Sequence, residues 1–171
     1  MMPNFQAAMG SLLFSTIEVT RQAFYRTSLS YAIVNLKPIV PGHVLVIPTR
    51  PVPRLSDLEE PELTSLMLAV KRVGTVLERA YGADALTIAC QDGKAAGQSV
   101  PHVHFHLLPR KYTGDRFAGA NNDKIYPALE KAEAEMMASE PLRVDADEDR
   151  KPRSMEEMEK EATWLKSFLQ D

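Results

Sequence analysis

Three of the four histidines in this chain alternate along one short stretch, Pro101-His102-Val103-His104-Phe105-His106. Successive side chains of a strand point to opposite faces. A strand over 100–109 therefore puts His102, His104 and His106 on one side, and Val103, Phe105 and Leu107 on the other, where they seal a core. Three imidazoles in a row present six ring nitrogens, each needing a partner if buried. The chain has to fold into a sheet with one apolar face and one furnished face.

The neighbouring segments supply such a sheet. Residues 14–19, 22–27 and 31–36 are short and rich in β-branched or aromatic side chains, which predicts three strands. Lys37-Pro38-Ile39-Val40-Pro41-Gly42 marks a turn, and 43–47 resumes as a strand. A connection this short makes an antiparallel meander, not a parallel crossover. Simple register about that turn would set residue 37 opposite 43, with Asn35 and His43 on one face.

The one long helix begins with a capping box, Ser56-Asp57-Leu58-Glu59. It carries Leu63, Leu66, Val70, Val73 and Leu77 on one face and ends at Tyr81-Gly82. A strand over 84–91 follows. Residues 125–136 predict a short helix, and 154–170 an amphipathic helix opened by Ser154 and Glu157. The order points to an α+β domain on an antiparallel sheet. Residues 1–13 are expected to form a flexible tail and 14–171 a single domain, with a mobile loop at 114–122 and a mobile linker at 139–153.

At 171 residues the chain should bury roughly 70% of the surface it exposes unfolded, enough for a core without staples. Its one cysteine, Cys90, makes no internal disulfide and points to a reducing compartment. Cys90 reads as a core thiol. No apolar run reaches the ~20 residues of a membrane span. A net charge of -3 argues against general nucleic-acid binding, yet permits a small phosphorylated ligand.

Three chemistries suit the histidine row. One is a solvated outer face, although three of four histidines in register favour a site. Another is a metal centre on His102, His104 and His43. Residues two apart on a strand are ~6.6 Å apart, so three rings of one strand do not easily converge on one ion. The third is a nucleophile, since a neutral imidazole can attack phosphorus to give a phosphoramidate that water later cleaves. Gly97-Gln98-Ser99 just before the row offers close backbone approach, an amide and a hydroxyl for phosphate oxygens.

These residues resemble the histidine triad family of nucleotide hydrolases and transferases, whose signature stands here as His102-Val103-His104-Phe105-His106-Leu107-Leu108. Ser30-Tyr31-Ala32-Ile33-Val34-Asn35, Val40-Pro41-Gly42-His43-Val44-Leu45-Val46, Gln91-Asp92-Gly93 and Ala96-Gly97-Gln98 are similar to its branch acting on dinucleoside triphosphates.

The resemblance implies a half-barrel-like antiparallel sheet with one long core helix and a C-terminal helix, assembled as a homodimer. It implies hydrolysis of diadenosine triphosphate to AMP and ADP. His104 would be the nucleophile, flanked by His102 and His106 and supported by His43. Asn35 would meet the ribose, and Gln91, Gly97, Gln98, Ser99 and Val100 the phosphates. Mg²⁺ or Mn²⁺ would accompany the substrate, with no metal held by the protein alone. A cytoplasmic or nuclear location is expected, with a mitochondrial address left open.

The sequence departs from that branch in three places. Ser15-Thr16-Ile17 stands where the branch carries a ligand-contacting histidine. Ser99 is closer to the family's adenosine phosphoramidases, which makes that activity the alternative beside a histidine metal protein. The loop between Arg110 and Tyr126 is long.

Overall fold

The computed structural model describes residues 10–136 and 152–170. Residues 1–9 of the tail expected at 1–13, and 139–151 of the linker expected at 139–153, lie outside the described residues. Leu12 is already buried and Leu13 is already in a strand, so packing begins before Phe14.

A small hairpin, β1 (Leu13–Phe14) and β2 (Ile17–Glu18), opens the chain, and five strands then form one antiparallel sheet. These are β3 (Ala23–Arg26), β4 (Ser30–Val34), β5 (Val44–Pro48), β6 (Ala85–Ala89) and β7 (Phe105–Arg110), ordered β3-β4-β5-β7-β6. Among the described residues three α-helices complete the domain: α1 (Glu60–Tyr81), α2 (Ile125–Met136) and α3 (Met155–Ser167). No helix among the described residues is long and apolar enough to cross a membrane.

Period-two alternation sorts the sheet into two faces. Ala32, Val34, Val44, Val46 and Leu107 pack against Leu66, Val70, Val73 and Leu77 of α1, and against Met158, Ala162 and Leu165 of α3. Each such valine, leucine or methionine, fully buried, contributes about 1.5–3 kcal/mol. Tyr31, Ile33, Leu45 and Ile47 point the other way and pack with Leu12, Phe14, Val19 and Val100. Further along that second face, Leu108 meets Ile39, Val40 and Phe117, together with Ile125, Leu129 and Ala132 of α2. His106 and Arg110 flank Leu108 in β7, so one strand carries a site residue, a packing residue and an anchor on the same face.

Several local expectations are corrected. The strand expected over 14–19 folds back as the β1–β2 hairpin, with Phe14 paired to Ile17. Ser15 takes the left-handed first turn position (φ 55°), and Tyr31 Oη, donating to the Leu13 carbonyl, holds the hairpin down. The cap of α1 is Glu59, boxed with Glu62, because residues 55–57 make a separate 3-10 turn. Leu63 stays exposed, and Ala69 and Val76 fill the helix face in its place.

The strand expected over 100–109 begins only at Phe105. Before it, the Val103 N–H leaves the ladder to donate to the Val52 carbonyl, and Pro101 has no N–H to give. The β4–β5 register is displaced by two residues from the simple one, which makes the loop longer: Val34 pairs with Val44, so Asn35 and not Lys37 stands opposite His43, and the Asn35 N–H donates to the His43 carbonyl. Gly42 makes this turn at φ +82°, where a Cβ would stand 2.6 Å from the Tyr81 ring, so glycine is required.

Candidate active site

Backbone groups fix each histidine before side-chain chemistry begins. The Ile39 N–H donates to Nδ1 of His43, 3.2 Å away, which leaves the His43 proton on Nε2. That N–H faces Nδ1 of His106 at 2.9 Å, so His106 in turn carries its proton on Nε2. The chain of donors runs from backbone to side chain and ends as an N–H aimed into the site. Asn35 Nδ2 lies against the same His43 ring, 3.1 Å from Nδ1.

His104 has the opposite polarity. Its Nδ1 donates to the His102 carbonyl at 2.7 Å, which turns the Nε2 lone pair toward the site. His102 itself points elsewhere. Its Nε2–H donates to the Pro48 carbonyl at 2.7 Å, while its Nδ1 accepts the Ser15 N–H at 3.0 Å. Burial holds the His102 and His106 imidazoles below their ordinary value, in favour of the neutral rings this pattern needs. Long-range ¹H–¹⁵N spectra at neutral pH should find His43 and His106 protonated at Nε2 and bare at Nδ1; a His106 proton on Nδ1 would break the chain of donors.

Between His104 and His106 stands Glu133 of α2, fully buried. Its Oε2 is 2.8 Å from His104 Nε2 and 3.2 Å from His106 Nε2, its Oε1 accepts the Ser99 N–H at 2.9 Å, and the Ser99 hydroxyl donates to the Glu133 backbone carbonyl at 2.5 Å, with Oε1 3.2 Å away. Burial alone would raise this carboxyl. The bonds from His104 and His106, the charge of His104 and the Ser99 N–H outweigh it and hold the group far below the carboxylate range.

The remaining expected residues are distributed unevenly. Ser99, His43, His104 and His106 converge, and His102 contributes its carbonyl more than its ring. Gln98 is spent inside the loop: its Oε1 accepts the Gly93 N–H at 2.7 Å, and its Nε2 donates to the Pro53 and Val100 carbonyls. Val100 is buried in the core under the hairpin. Gly97 sits at φ +89° with Gln91 against it; a Cβ there would lie 3.0 Å from Gln91 Nε2. Gln91 Oε1 is buried and makes no hydrogen bond among the described residues, so one amide oxygen beside the loop is uncommitted.

Glu133 is the site residue the sequence reading missed. It is one of several acidic residues on α2, and nothing in its spacing marks it. The expected core thiol, Cys90, is half-buried just past the edge strand β6, and burial pushes it up to about 11. Such a thiol is a poor ligand and a poor nucleophile.

His104, His106 and Glu133 form the one metal-competent group among the described residues, with ligand atoms within 4.8 Å of one another. The fixed tautomers oppose that use. His106 Nε2 carries its proton because Ile39 and His43 leave it no alternative, so coordination there would require an imidazolate. The His106 Nε2–H and the Ser99 N–H are donors, and the group they face here is an anion, the Glu133 carboxylate.

The chain is similar to known proteins over most of its length. The HIT domain family matches residues 16–113. A Schizosaccharomyces pombe protein named bis(5'-nucleosyl)-tetraphosphatase [asymmetrical] is 48% identical, over 94% of this chain and 95% of its own. An Arabidopsis thaliana protein named bifunctional bis(5'-adenosyl)-triphosphatase/adenylylsulfatase is 49% identical, over 87% of this chain and 78% of its own. The crystal structure of Plasmodium falciparum diadenosine triphosphate hydrolase superposes with a TM-score of 0.71 at 28% identity, covering 96% of this chain and 88% of that one. With its signature histidines paired by a buried relay and its sheet shared with those structures, the chain belongs to the HIT, or histidine triad, family.

Proposed function

We infer that this chain hydrolyses dinucleoside polyphosphates through a nucleotidyl-histidine on His104. The observation that carries this reading is the polarity of the pair: a lone pair on His104 Nε2, held in place by a backbone carbonyl, beside an N–H on His106 held by a backbone amide. A nucleophile and an oxyanion donor aimed at one point are what in-line attack on a phosphorus requires.

In the first step His104 Nε2 forms a bond to the α-phosphorus, the bond to the bridging oxygen breaks, and the shorter polyphosphate leaves. In the second, water attacks the same phosphorus, the N–P bond breaks, and AMP departs with the water's oxygen. Triphosphate substrates yield AMP and ADP, and tetraphosphates AMP and ATP. His106 Nε2–H and the Ser99 N–H and hydroxyl would stabilise the oxygens of each five-coordinate state, and Gln91 would turn its amide to the phosphates beside Gly97. Gln98 and Val100 shape that loop from behind. Asn35 supports the relay through His43, and the resemblance adds a ribose contact. Mg²⁺ or Mn²⁺ would arrive as part of the polyphosphate substrate.

The names of the relatives in fission yeast and Arabidopsis support this substrate class, and both align over most of their length. The family resemblance also carries a homodimer. Exposed Leu63, Met67 and Leu68 on α1 and Ile88 on β6 offer apolar surface for one. A reducing compartment, cytoplasmic or nuclear, suits the lone thiol. Ser99 keeps adenosine phosphoramidate in view as a second substrate, since the same attack would break a P–N bond.

The test is hydrolysis of diadenosine tri- and tetraphosphate in H₂¹⁸O, with products resolved by mass. The label should appear in AMP alone. Label in ADP or ATP would place attack on another phosphorus, and cleavage of the phosphoramidate alone would exchange the two readings.

A further inference from the structure

Glu133 uses the groups that a transferring phosphoryl would need. One carboxylate oxygen takes the Ser99 N–H, the other faces both histidine Nε2 atoms, and the Glu133 backbone carbonyl takes the Ser99 hydroxyl at 2.5 Å. A carboxylate, like the non-bridging edge of a phosphate, is an anion with two acceptor oxygens at fixed separation. It is fully buried, and α2 brings it there on Ile125, Leu129 and Ala132, which pack on Ile39, Val40, Leu108 and Phe117. A second tie on the same helix joins Glu135 to Lys37 at 3.8 Å. The helix lies beyond residues 16–113, the stretch matched by the family.

We propose that Glu133 is an internal competitor for the phosphoryl subsite, so that α2 must withdraw from His104, His106 and Ser99 before a nucleotide phosphate can bind. The inference rests on the reading of His104 as the nucleophile. An attacked phosphorus has to stand about 3 Å from His104 Nε2, and Glu133 Oε2 occupies that place at 2.8 Å. Carboxylate and substrate exclude one another. The resting chain is therefore divided between a closed form, self-liganded, and an open form competent to bind. Every phosphate ligand is weakened by the same factor, the fraction open.

The effect is read on Glu133→Ala. Removal of the competitor should lower both the KM for diadenosine triphosphate and the Kd for AMP by a common factor of at least about fivefold, with kcat/KM rising to match. In the wild-type chain, saturating AMP should speed hydrogen exchange at the amides of 125–136 and slow it at Ser99. This second measurement needs no variant and decides the matter if Glu133→Ala fails to fold. Unchanged KM and AMP affinity in a folded variant, or α2 amides protected further by AMP, would overturn the proposal. So would a fall in kcat at constant KM, which would make the carboxylate part of the chemistry. The AMP arm reads the subsite without turnover. A wild-type chain that hydrolyses neither dinucleotide would sink the hydrolase reading, while the AMP affinities would still decide the role of Glu133.

Discussion

His104→Asn should turn over a dinucleoside polyphosphate at least about a thousandfold more slowly than the wild-type chain. Asparagine can still donate to the His102 carbonyl, as Nδ1 of the ring does at 2.7 Å. It has no second nitrogen lone pair to offer the phosphorus. The variant therefore separates holding from attacking. AMP should still bind, since Ser99 and the His106 N–H remain. With substrate labelled at the α-phosphorus, wild-type protein quenched during turnover should retain label and the variant none. A variant with more than a tenth of wild-type rate would move the nucleophile away from His104.

Arg110→Ala carries the largest expected loss of stability. Arg110 is 9% exposed, and its guanidinium is spent on four acceptors. It donates to Asp115 Oδ2 at 2.6 Å, to Thr87 Oγ1 at 2.8 Å, to Asn122 Oδ1 at 3.1 Å and to the Phe117 carbonyl at 2.8 Å. Those partners come from β6 and from the long loop that leads into α2. Removing one member of a buried ion pair costs about 3–5 kcal/mol, because the other charge is left behind. At about 2–4 °C per kcal/mol for a chain of this size, the melting temperature should fall by about 10 °C. Lysine should not rescue it, since a single ammonium cannot reach four acceptors in fixed directions.

The sign of the pH dependence follows from Asp115. Burial pushes its carboxyl up, but hydrogen bonds from the Phe117 N–H and from Arg110 overcome that and leave it below its ordinary value. A depressed carboxyl stabilises the fold above its unfolded pKa of about 4 and ceases to do so as the pH falls through the folded value. The gap between wild type and Arg110→Ala should therefore be full at pH 7 and narrow below pH about 4. Urea denaturation at both pH values reads it, and a loss under about 1 kcal/mol at pH 7 would reduce the cluster to an exposed ion pair.

Elements that depend on local pattern could be read from the sequence. The spacing of Leu66, Val70, Val73 and Leu77 set the buried face of α1, and 125–136 matches α2. Ser154 with Glu157 caps α3 as expected. Errors arose where a local signal competed with a neighbour. Ser56 looked like a cap, but the 3-10 turn at 55–57 passed that role to Glu59. Alternation made 100–109 look like one strand, yet the pull of Val52 on the Val103 N–H ends the ladder at Phe105. In the site, the histidines announced themselves by number and spacing. The groups that give them direction did not, because the Ile39 and Ser15 amides and the Pro48 carbonyl exist at every position of any chain. Glu133 meets His104 across 29 residues, through packing of α2 that no short-range pattern encodes.

The donor chain that ends on His106 starts from a peptide N–H, and a peptide does not surrender its proton at neutral pH. His106 can release its Nε2 proton only if its Nδ1 takes one from His43, and His43 would have to recover it from Ile39. The wire is thus blocked at its origin: it transmits orientation and no protons. The departing nucleotide then leaves as an anion or is protonated from solvent. Selection on leaving groups should accordingly favour those already stable as anions, such as ADP or ATP, over alcohols that must collect a proton as they go.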